Sequence, residues 1–176
     1  MDKRAVVFCS SIREIDPAYH IAARQVADAL CKAGYTVVTG GSWRGTMGAI
    51  SEEVERCGGS HVGIIPIFME RYAYDRLTEK VLTETMSERK EKMREGCSVA
   101  IALPGGIGTL DELVETHVLA KLGQFDGKIL VLNLKGFYDP LKTMYQHYVD
   151  ACMLSKKDAD LVQFVDSVEE LAANLV

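Results

Sequence analysis

Short apolar runs alternate with amphipathic stretches along nearly the whole chain. Residues 5–9, 35–39, 61–66, 99–103, 128–134 and 161–165 have strand length and are rich in aliphatic positions. Helical patterns lie between them. Asp16-Pro17 is a cap followed by proline at the first helical position. Ile21, Ala22, Val26, Ala29 and Leu30 then keep helical spacing to about Lys32, and Gly34 ends the run. Further helices are expected over 47–57, 86–95, 109–122, 139–151 and 168–175. Residues 67–80 are polar and aromatic without a clear period, which predicts a loop or short helix. Strands alternating with helices predict an α/β fold: a three-layer, doubly wound parallel sheet, Rossmann-like, with residues 1–176 as one domain. In such sheets a ligand sits beyond the carboxyl ends of the strands, at the point where strand order reverses. The loops 9–13, 40–48 and 104–109 all leave strand ends and are expected to converge there.

The most informative of these runs is 99–113. Its apolar half, Val99-Ala100-Ile101-Ala102-Leu103, suits a strand covered on both faces. It turns through Pro104-Gly105-Gly106-Ile107-Gly108 and opens a helix expected to start at Thr109. Glycines here let the backbone approach a ligand closely, and the unpaired N–H groups of the new helix favour an anion, a phosphate above all. The spacing is neither Walker A nor the dinucleotide fingerprint. Thr109-x-x-Glu112 also fits a capping box, which would make Glu112 a purely structural residue.

Composition narrows the class. An apolar fraction of 48% and a charged fraction of 26% over 176 residues describe an ordinary globular chain. The net charge of -5 and the lack of a basic cluster argue against nucleic acid as partner. Cys9, Cys31, Cys57, Cys97 and Cys152 are scattered without a C-x-x-C, so neither a metal site nor a disulfide framework is expected. No run is long enough to span a membrane, and the strand pattern begins too early for a signal peptide. The expected location is the cytoplasm, with no membrane contact.

Within 86–95, Met86, Arg89, Lys90 and Met93 share one helical stripe. Read inward, the stripe makes the methionines core residues and brings two cations to a site, Arg89 with a planar fork suited to phosphate. Read outward, Glu88 to Lys92 are a solvated charged face. His20, His61, His117 and His147 lack metal-ligand spacing and read as structural, with His117 alone placed to face the site. Trp43 could stack on a base or cover the crevice. Lys90 is also the lysine that a pyridoxal phosphate Schiff base would use, a reading the glycine loop makes unnecessary.

Met86-x-x-Arg89-Lys90-x-x-Met93 followed by Pro104-Gly105-Gly106-x-Gly108-Thr109-x-x-Glu112 resembles the paired signature of the Lonely Guy family. These are cytokinin riboside 5′-monophosphate phosphoribohydrolases, often mislabelled lysine decarboxylases. Asp16-Pro17-Ala18-Tyr19, Gly40-Gly41, Gly45, Met47-Gly48-Ala49, Ile65-Pro66, Leu132-Asn133 and Gly136-Phe137-Tyr138-Asp139-Pro140 extend the resemblance over nearly the whole chain. It implies Arg89 and Glu112 as catalytic residues. It implies Lys90, Gly105, Gly106, Ile107, Gly108, Thr109, Ser11, Gly41 and Glu70 as substrate-binding residues, with no metal and no cofactor. The implied reaction releases a purine or cytokinin base and ribose 5-phosphate from AMP or a cytokinin riboside monophosphate. The competing reading is a nucleotide-binding or sensing protein without turnover. Cys9-Ser10-Ser11-Ile12, Gly40-Gly41-Ser42-Trp43-Arg44-Gly45, Ser87 and Leu119-Ala120-Lys121 depart from the family's pattern, leaving the preferred base open between adenine and its N6-substituted forms. The family commonly dimerises. The 109–122 helix carries Leu110, Leu113, Val114, Val118, Leu119, Ala120 and Leu122 on more than one stripe, so a homodimer is expected.

Overall fold

The computed structural model describes residues 3–175. Seven strands form one all-parallel sheet in the order β4-β3-β2-β1-β5-β6-β7. They are β1 (Lys3–Phe8), β2 (Tyr35–Thr39), β3 (His61–Pro66), β4 (Glu79–Thr83), β5 (Cys97–Ala102), β6 (Lys128–Leu132) and β7 (Val162–Val165). The helices are α1 (Pro17–Lys32), α2 (Gly45–Arg56), α3 (Met86–Arg94), α4 (Ile107–Lys121), α5 (Asp139–Asp150), α6 (Lys156–Ala159) and α7 (Val168–Ala173).

Alternate residues of a strand face opposite sides, and β1 shows this directly. Ala5 and Val7 join α1, α2 and α7 in one core, through Val26, Leu30, Ile50 and Leu171. Val6 and Phe8 join α3, α4 and α5 in the other, through Met93, Leu113 and Tyr145. The sheet is therefore covered on both faces, the three layers expected. Strand order reverses between β1 and β5, whose carboxyl ends diverge to open a crevice. No described helix is long and apolar enough to cross a membrane.

Several expectations need correction. Residues 67–80 contain a 3₁₀ turn, Ile67–Tyr72, and the start of β4, rather than a loop or short helix alone. β4 pairs with β3 only, and four of its five residues are not buried, so it carries no apolar signal. β6 stops at Leu132, and Leu134–Gly136 is a 3₁₀ turn. The four-residue α6, capped by Ser155, is too short to show a period. Met86 is 41% exposed, so of the two methionines only Met93 is core. The 109–122 helix begins two residues early, at Ile107, with Gly106 as its cap.

Candidate active site

That early start decides between the two readings of Glu112. Thr109 sits inside the first turn, and the cap residue Gly106 offers no side-chain bond, so there is no capping box at this helix. Leu110 N–H bonds Gly106 C=O at 3.0 Å as the first helical bond. The N–H groups of Ile107, Gly108 and Thr109 thus precede any intrahelical acceptor and sit at the positive end of α4. Glu112, one turn on, is buried and points into the crevice.

The partner of Glu112 comes from α3. Thr85 caps that helix by accepting from Glu88 N–H at 3.1 Å, and Glu88 Oε2 accepts from Glu84 N–H at 2.8 Å. These two bonds, on either side of the cap residue, fix the start of α3, and Arg89 turns inward. Arg89 Nε donates to Ile64 C=O at 3.1 Å, and Nη1 donates to Glu112 Oε1 at 3.2 Å. Both side chains of the pair are 9% exposed. Burial pushes the Glu112 carboxyl up to about 7, against the Arg89 charge, which pulls it down. A carboxyl poised there can exchange a proton near neutral pH.

The pair forms the floor of a cavity of about 240 Å³. Loop 9–13 contributes Cys9 and Ser11; loop 40–48 contributes Gly40, Ser42, Arg44 and Met47; the α4 start contributes Gly108 and Thr109. The three loops converge as expected. Ile65, Pro66, Met69, Tyr72 and Met86 make its apolar side. Burial and the nearby Glu112 charge drive the Cys9 thiol far up, so it stays protonated and is no nucleophile.

Other expected site residues lie elsewhere. Lys90 Nζ is held 2.9 Å from Asp111 and 3.2 Å from Glu115, outside the cavity lining. Burial alone would lower its pKa, but those two carboxylates raise it. Glu70 is bound to Lys80 at 2.6 Å and does not line the cavity. Gly41 adopts φ +70° and packs on Gly63 and Ile65, a backbone requirement instead of a ligand contact. Gly105 lies against Thr109, while Gly106 and the 82% exposed Ile107 stand at the open rim. His117 turns away from the cavity, bonding Tyr145 Oη at 3.0 Å and Asp158 C=O at 2.8 Å. Trp43 does not line the cavity, and the Arg13 guanidinium lies 5.7 Å from its ring centroid. Gly40 stands in the sequence only among the glycines of its turn, with no role legible there. A Cβ there would stand 1.9 Å from Arg89 Nη2, so this glycine makes room for the buried guanidinium.

Residues 47–175 match the family described as possible lysine decarboxylase. A cytokinin riboside 5′-monophosphate phosphoribohydrolase of Arabidopsis thaliana is 38% identical over 156 residues, 87% of this chain and 73% of that one. One of Mycobacterium tuberculosis is 32% identical over 172 residues, 96% and 91% of the two chains. The chain belongs to the Lonely Guy family. Among solved structures, the molybdenum cofactor binding protein of Rippkaea orientalis shares the fold at a TM-score of 0.74, with 21% identity over 99% of this chain and 96% of that one. Against this Lonely Guy background, the Arg89–Glu112 pair joins the two halves of the sequence signature, which lie on separate helices and meet over the β1–β5 crevice.

Proposed function

We propose that the protein is a phosphoribohydrolase that cleaves the N-glycosidic bond of a nucleoside 5′-monophosphate, AMP or a cytokinin riboside monophosphate, in the cytoplasm. The observation that carries this reading is the buried Arg89–Glu112 pair beneath the N-terminus of α4. The 5′-phosphate sits on the N–H groups of Ile107, Gly108 and Thr109, with Ser11 beside it. The ribose then lies over Glu112, and the base against Ile65, Met69, Tyr72 and Met86. As the bond from C1′ to the base nitrogen lengthens, positive charge grows on the ribose, and the Glu112 carboxylate stabilises it. Glu112 takes a proton from the attacking water, the oxygen bonds C1′, and the base leaves with the bond pair and takes a proton from solvent, Glu112 returning its own to solvent afterwards. Arg89 holds the carboxylate in place. Anchoring a substrate through its phosphate can supply several kcal/mol of the barrier reduction.

The decarboxylase description fits these residues poorly. Lys90, which a pyridoxal phosphate Schiff base would need, is paired with two carboxylates outside the cavity. A homodimer belongs to the same proposal. Ile107, Val114, Val118 and Leu122 form an exposed apolar stripe on α4. Sedimentation at micromolar concentration should show twice the 19.4 kDa chain mass, and a monomer would contradict it.

The test is incubation with AMP, isopentenyladenosine monophosphate and adenosine, followed by chromatography of free base. Base should be released from at least one of the nucleotides and far more slowly from adenosine. Release from none of them contradicts the activity, and equal release from nucleoside and nucleotide removes the phosphate cradle.

A further inference from the structure

We propose that Arg44 is a catalytic residue for the departing base, its guanidinium hydrogen-bonding the ring nitrogens as the glycosidic bond breaks; this role rests on the nucleotide-cleaving activity proposed above. Cleavage develops charge on both sides of the breaking bond. Glu112 serves the ribose side, whereas the base leaves with the electron pair and needs a positive group of its own. Three charged side chains line the cavity, Arg44, Arg89 and Glu112. Arg89 and Glu112 pair with each other, so among the described residues Arg44 is the lining charge left over. Elsewhere Arg24, Arg56, Arg76 and Arg94 are also paired with carboxylates. Arg44 pairs with none among the described residues, and its guanidinium carbon lies 5.3 Å from the Tyr72 ring centroid instead. The residue is half-buried. Its charge is thus free for an anion that forms against that wall.

Backbone pairing holds Arg44 at the apolar side of the cavity. Tyr72 ends the 3₁₀ turn Ile67–Tyr72, and the turn after β2 is joined to it. Trp43 N–H donates to Tyr72 C=O at 3.0 Å, Tyr74 N–H donates to Gly41 C=O at 2.8 Å, and Ser42 bridges Ala73. Arg44 N–H donates to Ser42 Oγ at 3.1 Å, which fixes the backbone from which the side chain leaves. The Tyr72 ring and the Arg44 guanidinium therefore stand together on the wall where the base would lie. A guanidinium keeps its proton and offers five N–H donors in a planar fork. It does not act as an acid; it answers negative charge by position and hydrogen bonding, most strongly where water is excluded. As the bond from C1′ to the base nitrogen breaks, its electron pair stays on the base, and Arg44 donates to the ring nitrogens of that anion. A proton from solvent then neutralises the base, and Arg44 ends as it began. Arg71 lies 4.8 Å from the same ring but does not line the cavity, so it has no such role.

The experiment compares Arg44→Met, Arg44→Lys and Arg71→Met with the parent on two substrates. One is whichever of AMP and isopentenyladenosine monophosphate the parent cleaves faster. The other is 4-nitrophenyl ribofuranoside 5-phosphate, whose leaving group is stable as an anion without help. Arg44 caps α2 without a side-chain hydrogen bond, so Arg44→Met should melt with the parent. Its kcat for the nucleotide should fall about 100-fold, the scale of losing one charge-stabilising donor. Its loss on the nitrophenyl substrate should stay within about threefold, because the interaction removed belongs to the departing base. Arg44→Lys, which keeps the charge but not the fork, should recover about tenfold of the loss. Arg71→Met should match the parent, and inhibition by ribose 5-phosphate should be the same in all four proteins. Unchanged nucleotide turnover in Arg44→Met, or an equal loss on both substrates, overturns the role. Weakened inhibition by ribose 5-phosphate in Arg44→Met also overturns it, placing Arg44 on the phosphate. A parent that releases no base removes the proposed activity itself, whereas an active parent beside an equally active Arg44→Met removes only the role of Arg44.

Discussion

Two glycine-rich turns leave strand ends at the crevice, and they use glycine in opposite ways. In the turn after β2, every glycine is pressed against protein. A Cβ would meet Arg89 Nη2 at 1.9 Å from Gly40, Ser10 C=O at 2.5 Å from Gly45 and Trp43 C=O at 2.0 Å from Gly48. In the turn after β5, Gly105 packs on Thr109, but Gly106 and Gly108 have nothing within 4 Å of a Cβ. The first turn spends its missing side chains on close internal packing. The second keeps its backbone open to a ligand. Similar strings of glycine in sequence thus mark a buttress in one place and, in the other, an open turn where the proposed phosphate would sit.

The largest effect that tests this contrast is expected at Gly40. Gly40→Ala drives its Cβ into the Arg89 guanidinium, which cannot move without releasing Ile64 C=O and Glu112. Turnover should fall at least about 100-fold, the scale of losing one oriented charge-stabilising group. Steady-state rates of base release check it; a variant within a fewfold of the parent would mean that Arg89 placement is unimportant.

Next is the charge that the packed side keeps out of water. The Glu112 carboxyl rises from 4.5 to about 7 in the folded chain. A raised carboxyl favours the folded state below the unfolded value and loses that contribution as pH climbs through the folded one. Over this window the loss is roughly 3 kcal/mol. Glu112→Gln should therefore melt at a higher temperature than the parent at pH 8, and the gap should close near pH 4.5. Thermal melts at both pH values decide this, and equal melting points at pH 8 would contradict the buried charge.

The smallest expected effect belongs to the open turn. Gly108→Ala meets no neighbour, and alanine in a helical position is favoured by up to about 1 kcal/mol. Stability should hold or rise slightly, while KM for the nucleotide rises severalfold as the methyl enters the cradle. A loss of stability with unchanged KM would reverse the roles of the two turns.

Much of this was legible in the chain because both faces of the central strands are buried. Ala5 to Cys9 and Val99 to Leu103 are plain apolar runs, and they end where the crevice opens. β4 was not legible, because an edge strand reading Glu-Lys-Val-Leu-Thr has little apolar face to display. The start of α4 was misplaced because Gly106, with no side chain to cap, marks the helix start less plainly than Thr109 would. At the site, the stripe through Met86, Arg89, Lys90 and Met93 was too coarse a guide. Arg89 and Met93 turn inward, Lys90 turns to Asp111 and Glu115, and Met86 sits at the cavity edge. The signal for that rotation is the Thr85-x-x-Glu88 cap, which fixes where α3 begins. Gly40 was hidden for another reason: its role is to make room for a side chain 49 residues away, which only the fold reveals.

The central claim is that the Glu112 carboxylate acts on the glycosidic bond while the phosphate is held by the backbone of α4. Measuring base release and nucleotide binding side by side for the parent and Glu112→Gln tests it most directly. Glutamine keeps the size of the side chain and an acceptor for Arg89 but removes the charge needed in the transition state. Base release should be abolished while the dissociation constant for AMP stays within about tenfold of the parent value. A glutamine variant that still releases base at near the parent rate would contradict the account.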